Sequence, residues 1–335
     1  MDQRNAALGE FEVIERFFLR PGAAPAGVIL GIGDDAALLQ LPHGAELVAA
    51  VDTIVAGRHF PEGAPPRSIG HRALAVNLSD LAAMGATPAW ATLALTMPHV
   101  DEQWLAEFSS GLLELADAHG VSLVGGDTTQ GPLTVSVQIL GHVPAGAALR
   151  RSGGRAGDVL AVTGTLGDAG AGLKFLSDPP AAADQTAVAE LIRRFEFPEP
   201  RVQFGQAARG TAGAAMDLSD GLIGDLPKFA HASALAAHVA VDALPLSDAM
   251  RAAATESQAR DWALGAGDDY ELLLSVPPHR FADLADAAGR LNLRLTAIGE
   301  MRTGRGVTWS LNAKDFAPDV RGYEHFRRAS TQITV

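Results

Sequence analysis

Apolar residues recur along the chain with spacings that alternate between helical and strand-like, which predicts a mixed α/β protein. The helical spacing of Phe11, Ile14, Phe17 and Phe18 predicts an amphipathic helix over residues 9–20, with its phenylalanines packed in a core. Further on, the pattern predicts strands at 47–51, 91–97 and 133–142, a helix from 66 to Asp80, and a helix from 101 to about 119.

Residues 81–100 carry no charge and are long enough to be considered as a membrane span. Gly85, Pro88 and Pro98 interrupt this run, so it is predicted as a helix end, a turn and a buried strand. Charges occupy the N-terminus where an export signal would be apolar, at Asp2, Arg4, Glu10 and Glu12. We expect no membrane partner and a cytoplasmic location.

The length of the chain, 335 residues, favours two domains over one hydrophobic core. A Gly- and Arg-rich run around residues 145–157 marks the predicted boundary, which gives domains 1–147 and 148–335. Arg150, Arg151 and Arg155 in this run are explained equally well by a solvated linker or by an arginine that contacts a phosphate.

The composition limits the partners and the chemistry. A formal net charge of -13 argues against a nucleic-acid partner, since clustered Lys and Arg are needed to displace counterions. An anionic substrate would therefore need bridging metal ions. The absence of cysteine excludes disulfides, thiolate zinc sites and a cysteine nucleophile.

Aspartates at the ends of apolar runs are the main candidates for chemistry. Asp80 is the single carboxylate in the uncharged stretch ALAVNLSDLAAMGATP (73–88), where an ionised Asp needs a cation or strong donors. Similar settings, most with glycines nearby, hold Asp34, Asp35, Asp52, Asp127, Asp217, Asp220, Asp268 and Asp269. The tripeptides LSD, at 78–80 and 218–220, and GDD, at 33–35 and 267–269, stand in opposite order in the two halves, which favours two related half-domains over coincidence.

Several converging carboxylates require cations, because close carboxylates cannot all ionise unaided. Oxygen ligands without cysteine or paired histidines favour Mg²⁺, which shares its ligands with phosphates. This indicates nucleotide-dependent phosphoryl transfer. A calcium-binding structural module is the rival from composition, although no EF-hand spacing is present, and glycoside hydrolysis does not explain so many carboxylates.

Seven motifs in order carry a resemblance to a known family: GIGDDAAL, VDTIVAGRHF, ALAVNLSDLAAMGATPAW, GGDTTQGPL, RSGGRAGD, MDLSDGL and GDDYEL. From about residue 9 to residue 326 the chain resembles thiamine-monophosphate kinase, of the aminoimidazole ribonucleotide synthetase superfamily. The resemblance implies ATP-dependent, Mg²⁺-requiring phosphorylation of thiamine monophosphate to thiamine diphosphate. It also implies a two-domain α/β (α+β) fold and a homodimer, in which the N-terminal ATP- and Mg-binding domains pair their sheets into a β-barrel and the second α/β domain closes the site.

The resemblance also implies site residues. The implied magnesium ligands are Asp35, Asp52, Asp80, Asp127, Asp217 and Asp220. The implied ATP contacts are Gly126, Asp127, Arg151 and Ser219, and the implied contacts of thiamine monophosphate are His59, Asp268 and Tyr323. No general base is expected, because the second pKa of a phosphate monoester, near 6, leaves the acceptor mostly dianionic at neutral pH.

Two motifs depart from the family pattern. Ala50 and Val51 precede Asp52 where hydroxyl residues are usual, which removes a side-chain metal contact, and Asp268 replaces a usual Glu. An aminoimidazole ribonucleotide synthetase-like ligase is the alternative enzyme. A nucleotide-binding protein without catalysis is the alternative of a different class.

Overall fold

The computed structural model describes residues 8–20, 25–181 and 183–324. Its α-helices are α1 Glu10–Val13, α2 Pro66–Ala83, α3 Glu102–Ala118, α4 Asp168–Ser177, α5 Gln185–Glu196, α6 Val202–Ala208, α7 Leu222–Ala232, α8 Asp248–Ala253, α9 Glu256–Gly265 and α10 Phe281–Arg290. A π-helix, Ile14–Phe18, continues α1, and short 3₁₀ turns cover Arg151–Gly153, Val241–Ala243 and Pro278–Arg280. None of the described helices has the length and apolar character needed to cross a membrane.

The strands are β1 Val28–Leu30, β2 Leu38–Leu39, β3 Ala45–Val55, β4 Thr87–Met97, β5 Ser122–Gln130, β6 Thr134–Pro144, β7 Val159–Thr163, β8 Ala214–Asp217, β9 Ala236–Ala240, β10 Leu272–Val276, β11 Leu295–Arg302, β12 Gly306–Leu311 and β13 Lys314–Phe316. They form a small β1–β2 pair, a four-stranded sheet ordered β3-β6-β4-β5 and a seven-stranded sheet ordered β13-β12-β9-β11-β7-β10-β8. The two larger sheets use separate stretches of chain, as two domains require. The predicted division between residues 147 and 148 falls in the connection between these sheets and stays a prediction.

The four-stranded sheet is open, with β3 and β5 at its edges, and the described chain forms no closed barrel by itself. Strand alternation divides β3 into two faces. Val48 and Ala50 pack on the core that contains helix α2, whereas Leu47 and Val51 are 53% and 62% exposed on the opposite face. One face of this sheet is therefore covered by α2 and the other is uncovered.

Helix α2 joins the two domains. Gly205 of α6 lies against it so closely that a Cβ there would be 2.0 Å from the carbonyl oxygen of Ala82. The core around α2 also includes Leu272 and Leu274 of β10, whereas the intervening Leu273 belongs to the core on the other side of that sheet. The two domains thus share apolar contacts through α2.

The local predictions are mostly confirmed. Helix α2 begins at Pro66, and the Asp101 carboxylate caps α3 by accepting hydrogen bonds from the backbone N–H groups of Gln103 and Trp104 at 2.9 and 3.1 Å. The prediction that all the N-terminal phenylalanines pack in a core is wrong for Phe11, which is 82% exposed, whereas Phe18 is buried. The α-helical register ends after Val13 and a π-turn follows, so these side chains do not share one face.

Candidate active site

A cavity of about 680 Å³ lies between β3 and α2 on one side and β8, the turn after it and residues 265–270 on the other. Its wall includes most of the site residues predicted from sequence: Asp52, His59, Asp80, Arg151, Asp217, Ser219, Asp220, Asp268 and Tyr323. The fold therefore brings residues from distant parts of the chain to one place. We refer to this space as the acidic cavity.

Three carboxylates of the acidic cavity are held by the backbone elements that carry them. Asp217 is the last residue of β8 and is buried, and its Oδ2 accepts a hydrogen bond from the Ser79 hydroxyl at 2.8 Å. The backbone N–H of Asp52, on β3, donates to Oδ1 of Asn77 at 3.0 Å. Since Asn77, Ser79 and Asp80 all belong to α2, this helix positions the three carboxylates.

These carboxylates lack sufficient positive charge. Burial raises the pKa of Asp80, and the charges of Asp217 and Asp52 raise it further, while Arg151 acts in the opposite direction. Burial also raises the pKa of Asp217, although the Ser79 hydrogen bond and Arg151 oppose this effect, and burial raises the pKa of Asp52. Their ionised forms would be favoured by an added cation.

The donor set fits magnesium that is shared with a phosphate ligand. No group of three or more Asp, Glu or His side chains among the described residues is arranged to hold a metal ion by itself. Mg²⁺ does not require such a cage, because it keeps several waters and uses one or two carboxylates together with substrate phosphates. Asp52, Asp80 and Asp217 offer that kind of partial coordination.

Asp220 differs from these three because the protein already supplies its counter-charge. The Lys228 ammonium donates to Asp220 Oδ2 at 2.6 Å and to Asp225 Oδ1 at 3.0 Å. The other oxygen of Asp225 accepts the backbone N–H groups of Ser219 and Asp220 at 3.1 and 2.9 Å. Asp225, which is buried, therefore fixes the Leu218–Asp220 turn at the start of α7.

Asp268 is also neutralised within the chain. Arg72 of α2 donates from Nη2 to Asp268 Oδ1, and the Tyr270 hydroxyl donates to the same oxygen at 3.2 Å. The backbone N–H of Asp268 donates to the carbonyl oxygen of Ser219 at 2.9 Å. Asp268 and Tyr270 have φ values of 70° and 51°, a left-handed conformation that is costly for residues with a side chain.

Three further predicted residues line the cavity. Nδ1 of His59 accepts the backbone N–H of Val55 at 3.1 Å, which places the proton of a neutral ring on Nε2. The backbone N–H of Tyr323 donates to the carbonyl oxygen of Asp220 at 3.0 Å, and its side chain is 42% exposed. The guanidinium of Arg151 acts electrostatically on Asp80 and Asp217.

The structure does not bring Asp35, Asp127 and Gly126 into the acidic cavity. Asp35 is exposed, and its backbone N–H donates to the Asp34 carboxylate at 2.8 Å. Across the four-stranded sheet, Asp127 pairs with Ala94, Ala94 pairs with Ser136, and Ser136 pairs with Thr53. Asp127 is therefore in register with Thr53 and not with its neighbour Asp52. Because side chains alternate along strands, Asp127 lies on the uncovered face and Asp52 on the covered one.

Gly126 occupies a position that only glycine fits. Its φ is 152°, and a Cβ there would lie 1.9 Å from the carbonyl oxygen of Leu93. This close approach between β4 and β5 accounts for one glycine of the GGD motif by backbone packing.

Sequence reasoning missed Arg72, Ser79 and Asp225. Arg72 stands directly before the uncharged stretch that was used to select Asp80, and Ser79 is the middle residue of the first LSD motif. Asp225 follows the second LSD motif at the start of a helix, where a carboxylate can accept backbone N–H groups. These were the available signals, but none of them identifies a distant partner.

Comparisons with known proteins cover nearly the whole chain. Two family models match, AIR synthase related protein, N-terminal domain, at residues 33–143, and AIR synthase related protein, C-terminal domain, at residues 155–311. Thiamine-monophosphate kinase of Salmonella typhimurium is 47% identical over 321 residues, which cover 96% of this chain and 99% of that protein. The Bacillus subtilis enzyme of the same name is 34% identical over 311 residues, or 90% and 95% of the two chains.

Solved structures agree with these sequence matches. The crystal structure of thiamine-monophosphate kinase from Stenotrophomonas maltophilia K279a superimposes with a TM-score of 0.81 at 45% identity, over 87% of this chain and 93% of that one. AaThiL complexed with AMPPCP and TMP superimposes with a TM-score of 0.74 at 28% identity, over 86% and 89% of the two chains.

Proposed function

The chain belongs to the thiamine-monophosphate kinases within the AIR synthase related proteins, and we propose that it transfers the γ-phosphoryl group of ATP to thiamine monophosphate, giving thiamine diphosphate. The observation that carries this proposal is the acidic cavity, where Asp52, Asp80 and Asp217 lie together between two domains. The likeness of the whole chain to AaThiL complexed with AMPPCP and TMP supports a nucleotide and thiamine monophosphate as the two substrates.

Magnesium is part of this proposal. Asp52, Asp80 and Asp217 would hold Mg²⁺ jointly with substrate phosphates, and the bound ions would supply the positive charge that offsets repulsion between two polyanions. Asp220 is proposed in the same role, although Lys228 already pairs with it. Asp35 is proposed as a ligand as well, and its exposed loop would have to close over the acidic cavity for the carboxylate to reach a bound magnesium ion.

Positioning by the chain's own residues accounts for the remaining chemistry. Arg151 is proposed to contact the phosphates of ATP, since it is the cation whose charge acts on both Asp80 and Asp217. Ser219, held by Asp225, and Gly126 are proposed as further ATP contacts. The dianionic acceptor phosphate attacks directly and in line, so no side chain has to remove a proton.

His59, Asp268 and Tyr323 are proposed to contact thiamine monophosphate. His59 and Tyr323 lie on the wall of the acidic cavity and present an imidazole and a phenol ring to a cationic thiazolium. Asp268 is held by Arg72 and Tyr270, so its charge is partly neutralised before substrate arrives. We therefore propose that Asp268 contributes orientation more than charge.

We further propose a homodimer in which two four-stranded sheets face each other and close a β-barrel. The uncovered sheet face supports this, because Leu47 and Val51 are 53% and 62% exposed there. Asp127 lies on this face, so its proposed contacts with magnesium and ATP depend on what covers it. We expect light scattering to show monomers for Val51→Lys. The control variant Leu291→Lys, at a leucine that is 37% exposed, should remain a dimer. Dimers of Val51→Lys would contradict the proposed interface.

The reaction is tested by phosphorus NMR of the purified protein with ATP, Mg²⁺ and thiamine monophosphate, with formylglycinamidine ribonucleotide as a parallel acceptor. We expect diphosphate resonances of thiamine diphosphate in the first tube and none in the second. Turnover in the parallel tube alone would instead indicate an aminoimidazole ribonucleotide synthetase-like ligase. Acid-labile phosphate on the protein after ATP treatment would refute direct transfer.

A further inference from the structure

Asp220 differs from the other proposed magnesium ligands of the acidic cavity because a lysine is bound to it. The Lys228 ammonium lies 2.6 Å from Asp220 Oδ2 and 3.0 Å from Asp225 Oδ1. Asp220 lines the acidic cavity and Lys228 does not, so the lysine approaches this carboxylate from outside the cavity wall. One carboxylate therefore adjoins both the proposed metal site and a cation of the chain itself.

Asp225 keeps the lysine in place beside Asp220. Its side chain is 2% exposed, and Lys228 follows it three residues later on α7. Oδ2 of Asp225 accepts the backbone N–H groups of Ser219 and Asp220 at 3.1 and 2.9 Å, which fixes the orientation of the carboxylate. The contact between Lys228 and Asp225 therefore belongs to a buried and hydrogen-bonded arrangement.

The contact between Lys228 and Asp220 is easier to exchange. The two side chains are 49% and 30% exposed, so water can solvate the ammonium when it leaves Asp220. Ion pairs with this degree of exposure contribute little to stability. A divalent ion near Asp220 would be repelled by the ammonium, which weakens its binding. A substrate phosphate adds negative charge and further ligands for the metal ion, which favours the metal over the ammonium.

We infer that Lys228 competes with magnesium for Asp220, so that this carboxylate binds a metal ion only together with a substrate phosphate. The inference rests on the proposed function, in which Asp220 is a magnesium ligand. The ion pairs of the described lysines are with Asp178, Asp220 and Asp225, so the other carboxylates of the acidic cavity have no ammonium partner. We expect those carboxylates to bind a metal ion first and Asp220 to join them when the phosphate arrives.

The test measures Mn²⁺ binding to the purified protein without nucleotide, from the electron paramagnetic resonance signal of the free ion. Mn²⁺ is the probe because the oxygen ligands that suit Mg²⁺ also suit Mn²⁺. Lys228→Met removes the charge and keeps an unbranched apolar side chain. The matched control is Lys174→Met, at a lysine that is 54% exposed, pairs with Asp178 at 2.9 Å and does not line the acidic cavity. We expect Lys228→Met to bind Mn²⁺ about tenfold more tightly than the wild type, and Lys174→Met to match the wild type.

Asp220→Asn shows whether the gain in affinity arises at Asp220. Without nucleotide it should change Mn²⁺ affinity by less than about twofold in the wild type, and it should remove the gain in Lys228→Met. With AMPPCP bound, the same substitution should weaken Mn²⁺ binding in the wild type as well. Equal Mn²⁺ affinities of Lys228→Met and Lys174→Met would overturn the inference. So would an equal effect of Asp220→Asn in both backgrounds, or no effect of Asp220→Asn with AMPPCP.

A second neutral variant covers the case in which Lys228→Met does not fold. The amide of Lys228→Gln can still donate to Asp225, and it carries no charge that would repel a metal ion. Thermal unfolding without ligands identifies which variants are folded, and the same tenfold gain is expected for Lys228→Gln, to about that magnitude. Metal binding is measured without turnover, so a wild-type protein that makes no thiamine diphosphate would refute the proposed function, while Mn²⁺ affinity would still decide the competition at Asp220.

Discussion

The hydrogen bond between Ser79 and Asp217 joins the two domains, and its removal should destabilise the protein measurably. Ser79 is fully buried on α2, and its hydroxyl donates to Asp217 Oδ2 at 2.8 Å. A hydrogen bond to a carboxylate contributes about 1.5–3 kcal/mol. Alanine recovers about 0.5 kcal/mol through its higher helix propensity. For Ser79→Ala we therefore expect a net loss of about 1–2.5 kcal/mol in the free energy of unfolding.

The matched control is Ser109→Ala. Ser109 is a buried helical serine too, but its hydroxyl donates within its own helix to the carbonyl oxygen of Ala106 at 3.1 Å. That bond contributes little, so the expected change is within about 0.5 kcal/mol. Calorimetric unfolding of wild type and both variants, without ligands, measures the difference.

Kinetics provide a second measurement on the same variants. Ser79→Ala leaves the Asp217 carboxylate less firmly held, so we expect KM for Mg-ATP to rise, while Ser109→Ala leaves it unchanged. Equal unfolding temperatures for the two serine variants, together with equal KM values, would refute the reasoning. In that case Asp217 would be positioned by β8 alone.

Three further predictions concern single residues. Asp80→Asn should lower turnover about 100-fold or more with the fold retained, as checked by steady-state kinetics and circular dichroism, because it removes a proposed ligand charge. Asp225→Asn places an amide beside Lys228 and should cost about 2 kcal/mol in urea unfolding. Burial lowers the pKa of His71 below its usual 6.5, so the unfolded state takes up a proton at a higher pH than the folded state does. The free energy of unfolding should therefore fall as the pH drops below 6.5. His71→Gln should weaken this fall when unfolding is compared at about pH 7.5 and pH 5.5.

Local features were predictable from the sequence because their causes are local. Pro66 at the first turn of α2, Asp101 at the cap of α3 and Gly120 after it, with φ of 65°, each act within a few residues. The contacts of Arg72 with Asp268, 196 residues away, and of Ser79 with Asp217, 138 residues away, depend on how the two domains meet. The spacing of residues along the chain does not indicate how two domains pack against each other.

Repeated motifs turned out to occupy different local structures. The first LSD lies within helix α2, whereas the second forms a turn between β8 and α7. The two GDD motifs also differ, since Asp35 lies in an exposed turn and Asp269 is buried, accepting the backbone N–H groups of Gly167 and Ala169 at 2.6 and 3.3 Å. These differences do not support the interpretation that the letters mark equivalent positions of two half-domains.

The aspartates selected from the sequence differ in whether the folded chain supplies a partner that balances their charge. Several of them have a partner within the described chain: Asp220 has Lys228, Asp268 has Arg72, and Asp269 has the N-terminus of α4. Burial instead raises the pKa of Asp52, Asp80 and Asp217, and the charges of Asp217 and Asp52 raise the pKa of Asp80 further, while Arg151 lowers the pKa of Asp80 and Asp217. A buried cluster of this kind is stable in its ionised form only with added cations. The deficit of positive charge, which only the three-dimensional arrangement reveals, is therefore the strongest physical argument for the proposal that these three aspartates bind magnesium together with substrate phosphates.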